Sequence, residues 1–200
     1  MDALEADLPE DGPLQTKLVE VNLMVKPDVA DAILSNGTFS HYDRPRIAQL
    51  CEKAGLYMRA LQHYSDLTDI KRCIVNTHAI DPAALTEYFG SLSSEWGLEC
   101  LSELLHTNPT QNIPLVVNIA KEYTDAMGVS KIIALFEEHN SYQGLFMYLG
   151  ARIAFSEDEE VRCPKILIHI DTVLPLSKEC PHFRKYGSPS LENSYEGIPR

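Results

Sequence analysis

The chain has 200 residues, 44% of them hydrophobic, and carries 17 Lys and Arg against 29 Asp and Glu for a formal charge of −12. That much apolar material can bury a core, which excludes disorder throughout. The acidic balance excludes general binding to a nucleic-acid backbone, where clustered cations supply the affinity.

Met1–Pro13 holds five acidic residues and no basic one, opposite in charge to a secretory or organellar leader. No apolar run approaches the roughly 18 to 20 residues that cross a bilayer. The expectation is a soluble cytoplasmic chain. From Leu14 to Phe155, apolar-periodic segments alternate with short breakers and no period-two alternation persists, which predicts about ten short helices. The first has Leu14, Leu18, Val21 and Val25 on its inner stripe. Pro27 opens the second, with Val29, Ala30, Ile33 and Leu34 inward and Asn36-Gly37 as its stop.

The stretch from His41 to Leu56 is the clearest unit. Asp43 is placed to accept from an orphaned backbone N–H, Pro45 sits in the first turn, Ile47, Leu50, Cys51 and Ala54 share a face, and Gly55 supplies a left-handed cap. Leu56, Tyr57, Ala60, Leu61 and Tyr64 follow with almost no loop, so the two helices fold back antiparallel. A short helix from about Asp69 to Asn76 then buries Ile70, Cys73 and Ile74. Asp81-Pro82 repeats the cap-plus-proline start, with Leu85, Tyr88 and Phe89 leading to Gly90. Ser93 caps the next helix, which carries Leu98, Leu101, Leu104 and Leu105. One helix is expected from about Asn112 to Met127, with Pro114 in its first turn and Val116, Val117, Ile119, Ala120 and Tyr123 inward, ending at Gly128. Ile132, Ile133, Leu135 and Phe136 form another, and Tyr142, Leu145, Phe146 and Leu149 the last.

Helices this short hold only through packing, because isolated helices below about 12 to 15 residues are marginal in water. Serial pairs that stack on their neighbours make an α-solenoid. The fold expectation is therefore all-α: a right-handed solenoid of short antiparallel hairpins over 14–155, preceded by an acidic segment over 1–13 and followed by an irregular tail over 156–200. In that tail Lys165–Val173 has the alternation of a short strand, among five prolines and Ser-rich turns.

Chemistry-bearing patterns are sparse. There is no phosphate-cradling Gly-rich loop, H-E-x-x-H pair, C-x-x-C pair or G-x-S-x-G elbow. The five cysteines, at 51, 73, 100, 163 and 180, are unpaired in spacing, and the first three fall on apolar helix faces. His41 beside Asp43 has the residue types of a base and its orienter, but a loop histidine next to a helix cap is expected to bond backbone or solvent. Glu137-Glu138-His139 reads as a solvated helix end, and His63 and His78 as surface or hairpin-packing residues. Cys163-Pro164 and Cys180-Pro181 resemble haem-responsive dipeptides, a pattern too short to carry weight. Asp69-Ile-Lys-Arg72 is a basic spot expected to pair with nearby acids, and Trp96 is expected to fill a groove between hairpins. Glu52, Glu87 and Glu103 are candidate rim contacts. No catalytic, cofactor or metal residue is assigned.

Leu18–Leu23, Val29–Leu34, His41–Leu56, Asp69–Arg72, Asn76–His78, Phe89–Leu92 and Gly144–Phe146 with Leu149-Gly150, in that order, resemble the clathrin heavy chain in the distal part of its leg, over about residues 14–158. The resemblance implies a helical-repeat scaffold in the lattice of coated vesicles and coated pits, cytoplasmic and peripheral, with no enzyme activity. Its partners would be other heavy chains. The light chain and adaptors bind the full-length family through regions this segment lacks, so the chain reads as a fragment. Residues 159–200 have no counterpart in the family, and a retained intron, frameshift or gene-model error accounts for them more simply than a genuine variant does. The alternative is a peptide-binding helical-repeat adaptor of vesicle trafficking, which needs a concave groove lined by convergent Asn, Lys or Arg. An α-helical enzyme would need a polar pocket with perturbed acids.

Overall fold

A computed structural model describes residues 7–155. Among them every regular element is helical: Gly12–Val25 (α1), Pro27–Ser35 (α2), Arg44–Lys53 (α3), Tyr57–His63 (α4), Leu67–Ile74 (α5), Pro82–Phe89 (α6), Ser94–Thr107 (α7), Ile113–Glu122 (α8), Thr124–Met127 (α9), Val129–Glu138 (α10) and Tyr142–Phe155 (α11), with 3-10 turns at Pro9–Asp11 and Thr77–Ala79. Contacts divide the chain into Met1–Ala151 and Arg152–Arg200, and the fold described is that of the first unit. The expected strand at 165–173 and the expected irregular tail over 156–200 lie outside the described residues.

The boundaries follow local chemistry. Asp43, Asp66, Asp81 and Ser93 each accept a backbone N–H from the first turn of the helix that follows, at 2.9 to 3.4 Å. Proline occupies the first or second position of α2, α3, α6 and α8, where its missing N–H breaks no bond. Between α3 and α4 the chain reverses at Gly55, φ +80°, and the Leu56 N–H closes onto the Cys51 carbonyl at 2.8 Å. Three residues connect the two helices, so they lie antiparallel.

The main helix contacts join elements one to three places apart along the chain: α1 on α2 and α3, α4 on α3, α5 and α6, α7 on α5, α8, α9 and α10, and α6 on α8. Buried apolar side chains run through successive helices. Val19, Ile47, Cys51 and Leu61 lead into Ile70, Ile74 and Leu85, then Leu101, Leu104, Val116 and Ile119, and finally Ile132, Phe136 and Tyr148, all essentially fully buried. Large side chains buried in this way stabilise by roughly 1.5 to 3 kcal/mol each, which is what holds helices of four to fourteen residues. This is the α-solenoid of short hairpins that the sequence predicts.

The structure differs from the sequence reading in four places. The first helix turns a different face inward: Gln15, Val19 and Leu23 are buried, while Leu14, Val21 and Val25 are 45%, 42% and 69% exposed. The loop before α3 decides this. The Gln15 Oε1 accepts from the His41 N–H at 2.9 Å, the Thr16 Oγ1 accepts from the Asp43 N–H at 2.9 Å, and Glu20 pairs with Arg46 at 2.8 Å. Gly12 lets that loop come close, since a Cβ there would lie 2.6 Å from the His41 carbonyl oxygen. In α2 only Ala30 of the expected set is buried; Val29 is 43% exposed.

The third difference is the start of α5, which Asp66 sets at Leu67 rather than near Asp69. The fourth is the helix expected to run unbroken to Met127. It breaks at Tyr123 (φ −105°, ψ 22°), because the Thr124 hydroxyl donates to the Ala120 carbonyl at 2.6 Å and competes with the backbone ladder.

Candidate interaction surface

Most of the described side chains singled out for chemistry are spent on structure. Asp43 caps α3 and His41 is held through its backbone N–H, so the two form no dyad. His63 is half-buried between two hydrogen bonds. Its Nδ1 lies 2.7 Å from the Arg59 carbonyl, which can only accept, so Nδ1 carries the proton and Nε2 accepts from the Tyr42 hydroxyl at 2.6 Å. Burial foremost holds its pKa below the usual histidine value, which keeps this neutral tautomer at pH 7. His139 is not a solvated end: its Nε2 meets the Ser102 hydroxyl at 2.8 Å and ties the end of α10 to α7. His78 is exposed on the 3-10 turn.

Cys51, Cys73 and Cys100 are buried free thiols on α3, α5 and α7. Burial pushes each up to about 12, far above the range in which a thiolate attacks or ligates at neutral pH. Cys163 and Cys180 lie outside the described residues. Among the described residues no three His, Cys, Asp or Glu side chains converge as a metal site.

The basic spot pairs across hairpins. The Arg72 guanidinium on α5 bonds Glu52 of α3 at 2.8 and 3.0 Å and Asp69 at 2.6 Å, and stands 5.7 Å from the centre of the Tyr64 ring. The Tyr64 hydroxyl donates to Glu52. Lys71 reaches Glu99 at 3.1 Å and Glu103 at 3.4 Å on α7. Arg59 of α4 bonds Asp31 at 2.5 Å and Ser35 on α2. Two of the expected rim acids, Glu52 and Glu103, are therefore held within the chain, while Glu87 is exposed. Each pair lies at the surface, where single ion pairs contribute about 0 to 1 kcal/mol, so their role is to fix how successive hairpins register.

Glu52 gives a pH test. The Arg72 hydrogen bonds foremost hold its carboxyl below the usual glutamate value of 4.5. A depressed folded pKa means the pair stabilises fully above the unfolded value and fades as pH falls through the folded one. The melting-temperature difference between wild type and Glu52→Gln is expected to stay constant from neutral pH down to about 5 and to shrink below about 4. A difference that grows on acidification contradicts the assignment.

Open clefts separate the hairpins. One of about 620 Å³ is bordered by Asp31, Tyr57, Arg59, Ala84 and Glu87. It adjoins another of about 650 Å³, where Trp96 stands half-buried with Leu61, Tyr64, Tyr88 and Leu92. Trp96 thus forms one wall of the groove between α4, α6 and α7, and the groove beside it stays open. Neither cleft gathers the convergent Asn, Lys and Arg of a peptide clamp. The other open surface is apolar: Leu14, Val21, Met24, Val25 and Val29 project from α1 and α2. Among the described residues no helix is long and apolar enough to cross a membrane.

Residues 1–113 match the family described as "Region in Clathrin and VPS". Clathrin heavy chain 2 of Oryza sativa subsp. japonica is 59% identical over 161 residues, which is 80% of this chain and 9% of that protein. Clathrin heavy chain 2 of Homo sapiens is 51% identical over the same share of this chain and 10% of its own length, and the clathrin heavy chain of Dictyostelium discoideum is 49% identical over 159 residues, 79% of this chain and 9% of its own length. The chain spans about a tenth of the length of these relatives.

Proposed function

This chain belongs to the clathrin heavy-chain family, and on that premise we propose that it is a structural segment of a vesicle coat, acting through packing rather than catalysis. Residues 14–155 are the load-bearing repeat, flanked by 1–13 and 156–200. The observation that carries the reading is the way polar and charged side chains are used. Arg72, Lys71, Arg59 and His139 each tie one helix to another and His63 ties α4 to the loop before α3, so that three cations bordering the open clefts, Arg59, Lys71 and Arg72, are already engaged by acids of the chain. Nearest-neighbour packing passes a strain along the row of hairpins, and many weak lateral contacts between such rows add by multivalency. The apolar outer face of α1 and α2 has the character of a surface that a further repeat covers. Other heavy chains are the partners in this reading, in the cytoplasm at coated vesicles and pits, with light chain and adaptors bound elsewhere on the full-length protein.

A chimaera tests it. The matching segment of a full-length heavy chain is replaced by residues 14–155, and assembled coats are sedimented. The chimaera is expected to pellet with coats as the parent does. A folded chimaera that stays in the supernatant contradicts the scaffold role, and one that instead retains short peptides on the Trp96 cleft favours an adaptor.

A further inference from the structure

We propose that Asn36 is a site of spontaneous deamidation, opened by the turn that ends α2. Asn36-Gly37 is the single Asn-Gly pair in the sequence. Both residues are exposed, Gly37 has φ +61°, and nothing lies within 4 Å of where a Cβ would stand. The turn is loosely closed. The Gly37 N–H reaches the Leu34 carbonyl at 3.4 Å and the Thr38 N–H reaches the Ile33 carbonyl at 3.4 Å, beyond the usual 2.7 to 3.2 Å. The same kind of turn at Gly55 closes at 3.1 and 2.8 Å. Among the described residues the Asn36 side-chain amide has no hydrogen-bond partner, whereas Asn22, Asn76, Asn108 and Asn112 each donate theirs to a neighbour.

The chemistry needs only water and hydroxide. Hydroxide removes the Gly37 N–H proton, the nitrogen attacks the Asn36 Cγ, the new C–N bond closes a five-membered succinimide, and the side-chain nitrogen leaves as ammonia. Water then adds to one of the two ring carbonyls. Opening at Cγ gives aspartate; opening at the main-chain carbonyl gives isoaspartate, with one extra atom in the backbone. Either product sets a new carboxylate at the C-terminal end of α2, where the helix carbonyls already concentrate negative charge. It also lies on the turn after Asp31 and Ser35, the two residues through which Arg59 holds α2 to α4. The modified site is a substrate for a methyltransferase that esterifies isoaspartyl carboxylates with S-adenosylmethionine.

The test incubates the full chain at mildly alkaline pH and physiological temperature, with peptide mapping by mass spectrometry and methyl-acceptor labelling for isoaspartate. The absence of a Cβ on Gly37 spares the attacking nitrogen a steric cost, so Asn36 is expected to convert roughly tenfold faster than Asn76 or Asn118 in the same sample. Asn36→Gln is expected to lose the methyl-acceptor signal while leaving the helical spectrum unchanged. Conversion of Asn36 no faster than Asn76 and Asn118 in the folded chain, with rapid conversion only after unfolding in denaturant, would overturn the proposal.

Discussion

Phe136→Ala is expected to lower the unfolding free energy by about 3 to 5 kcal/mol, a large share of the roughly 5 to 15 kcal/mol available to a domain. Phe136 is fully buried, and its ring centre lies 6.1 Å from that of Tyr148 at an interplanar angle of 36°. Its edge sits directly under Gly144, where a Cβ would come within 2.6 Å of the ring. Gly144 has no side chain with which to fill the hole, so α11 cannot collapse into it cheaply. The melting temperature followed by far-ultraviolet circular dichroism is expected to fall by on the order of 10 °C. Phe136→Leu keeps most of the volume and is expected to cost about 1 kcal/mol. Equal effects of the two variants would show that the ring fills no special space.

Asn112→Ala is expected to cost about 2 kcal/mol although it removes few atoms. Asn112 is 4% exposed; its Nδ2 donates to the Leu104 carbonyl at 2.8 Å, and its Oδ1 accepts from the Thr77 hydroxyl at 3.0 Å. One side chain thus closes the end of α7 and holds the 3-10 turn that precedes α6. The alanine leaves the Thr77 hydroxyl without its acceptor and the Leu104 carbonyl with only the Asn108 N–H, in a water-poor site. Asn112→Asp keeps the acceptor but places a carboxylate against the Leu104 carbonyl, so it is expected to cost at least as much at neutral pH. Chemical denaturation measures both, and an aspartate variant as stable as wild type would contradict the assigned roles of the two amide atoms.

Most of the helices were legible because their signals are local. Asp43, Pro45 and Gly55 act on backbone groups within one turn, and no distant residue is needed to read them. The face of α1 was not legible in the same way. Val19 and Leu23 on one side and Leu14, Val21 and Val25 on the other are all apolar, and the choice is made by a loop whose His41 lies 26 residues from Gln15. Gln15 and Asn112 looked like ordinary polar residues because their partners are remote, 35 positions away for Thr77 and Asn112. Thr124 hid the break between α8 and α9, since a threonine can continue a helix or compete with it. Tyr148 gave no sign of full burial because tyrosine suits both surface and core.

The polar surface followed the same division. That Asp69, Lys71 and Arg72 would be paired was readable from the acid-rich composition, but Glu52 as the partner of Arg72 depends on α3 and α5 lying side by side. His139 was misread for this reason: only the packing of α10 on α7 brings Ser102 within reach.

In a nearest-neighbour array of this kind, order passes from hairpin to hairpin with no shared core to distribute a loss. Native-state hydrogen exchange on Phe136→Ala tests it most directly. Amides of α9, α10 and α11 are expected to lose protection first and most, while those of α3 and α4 keep nearly wild-type protection, as a nearest-neighbour array requires. An equal loss of protection from α1 to α11 would mean a single cooperative globule and would contradict the account.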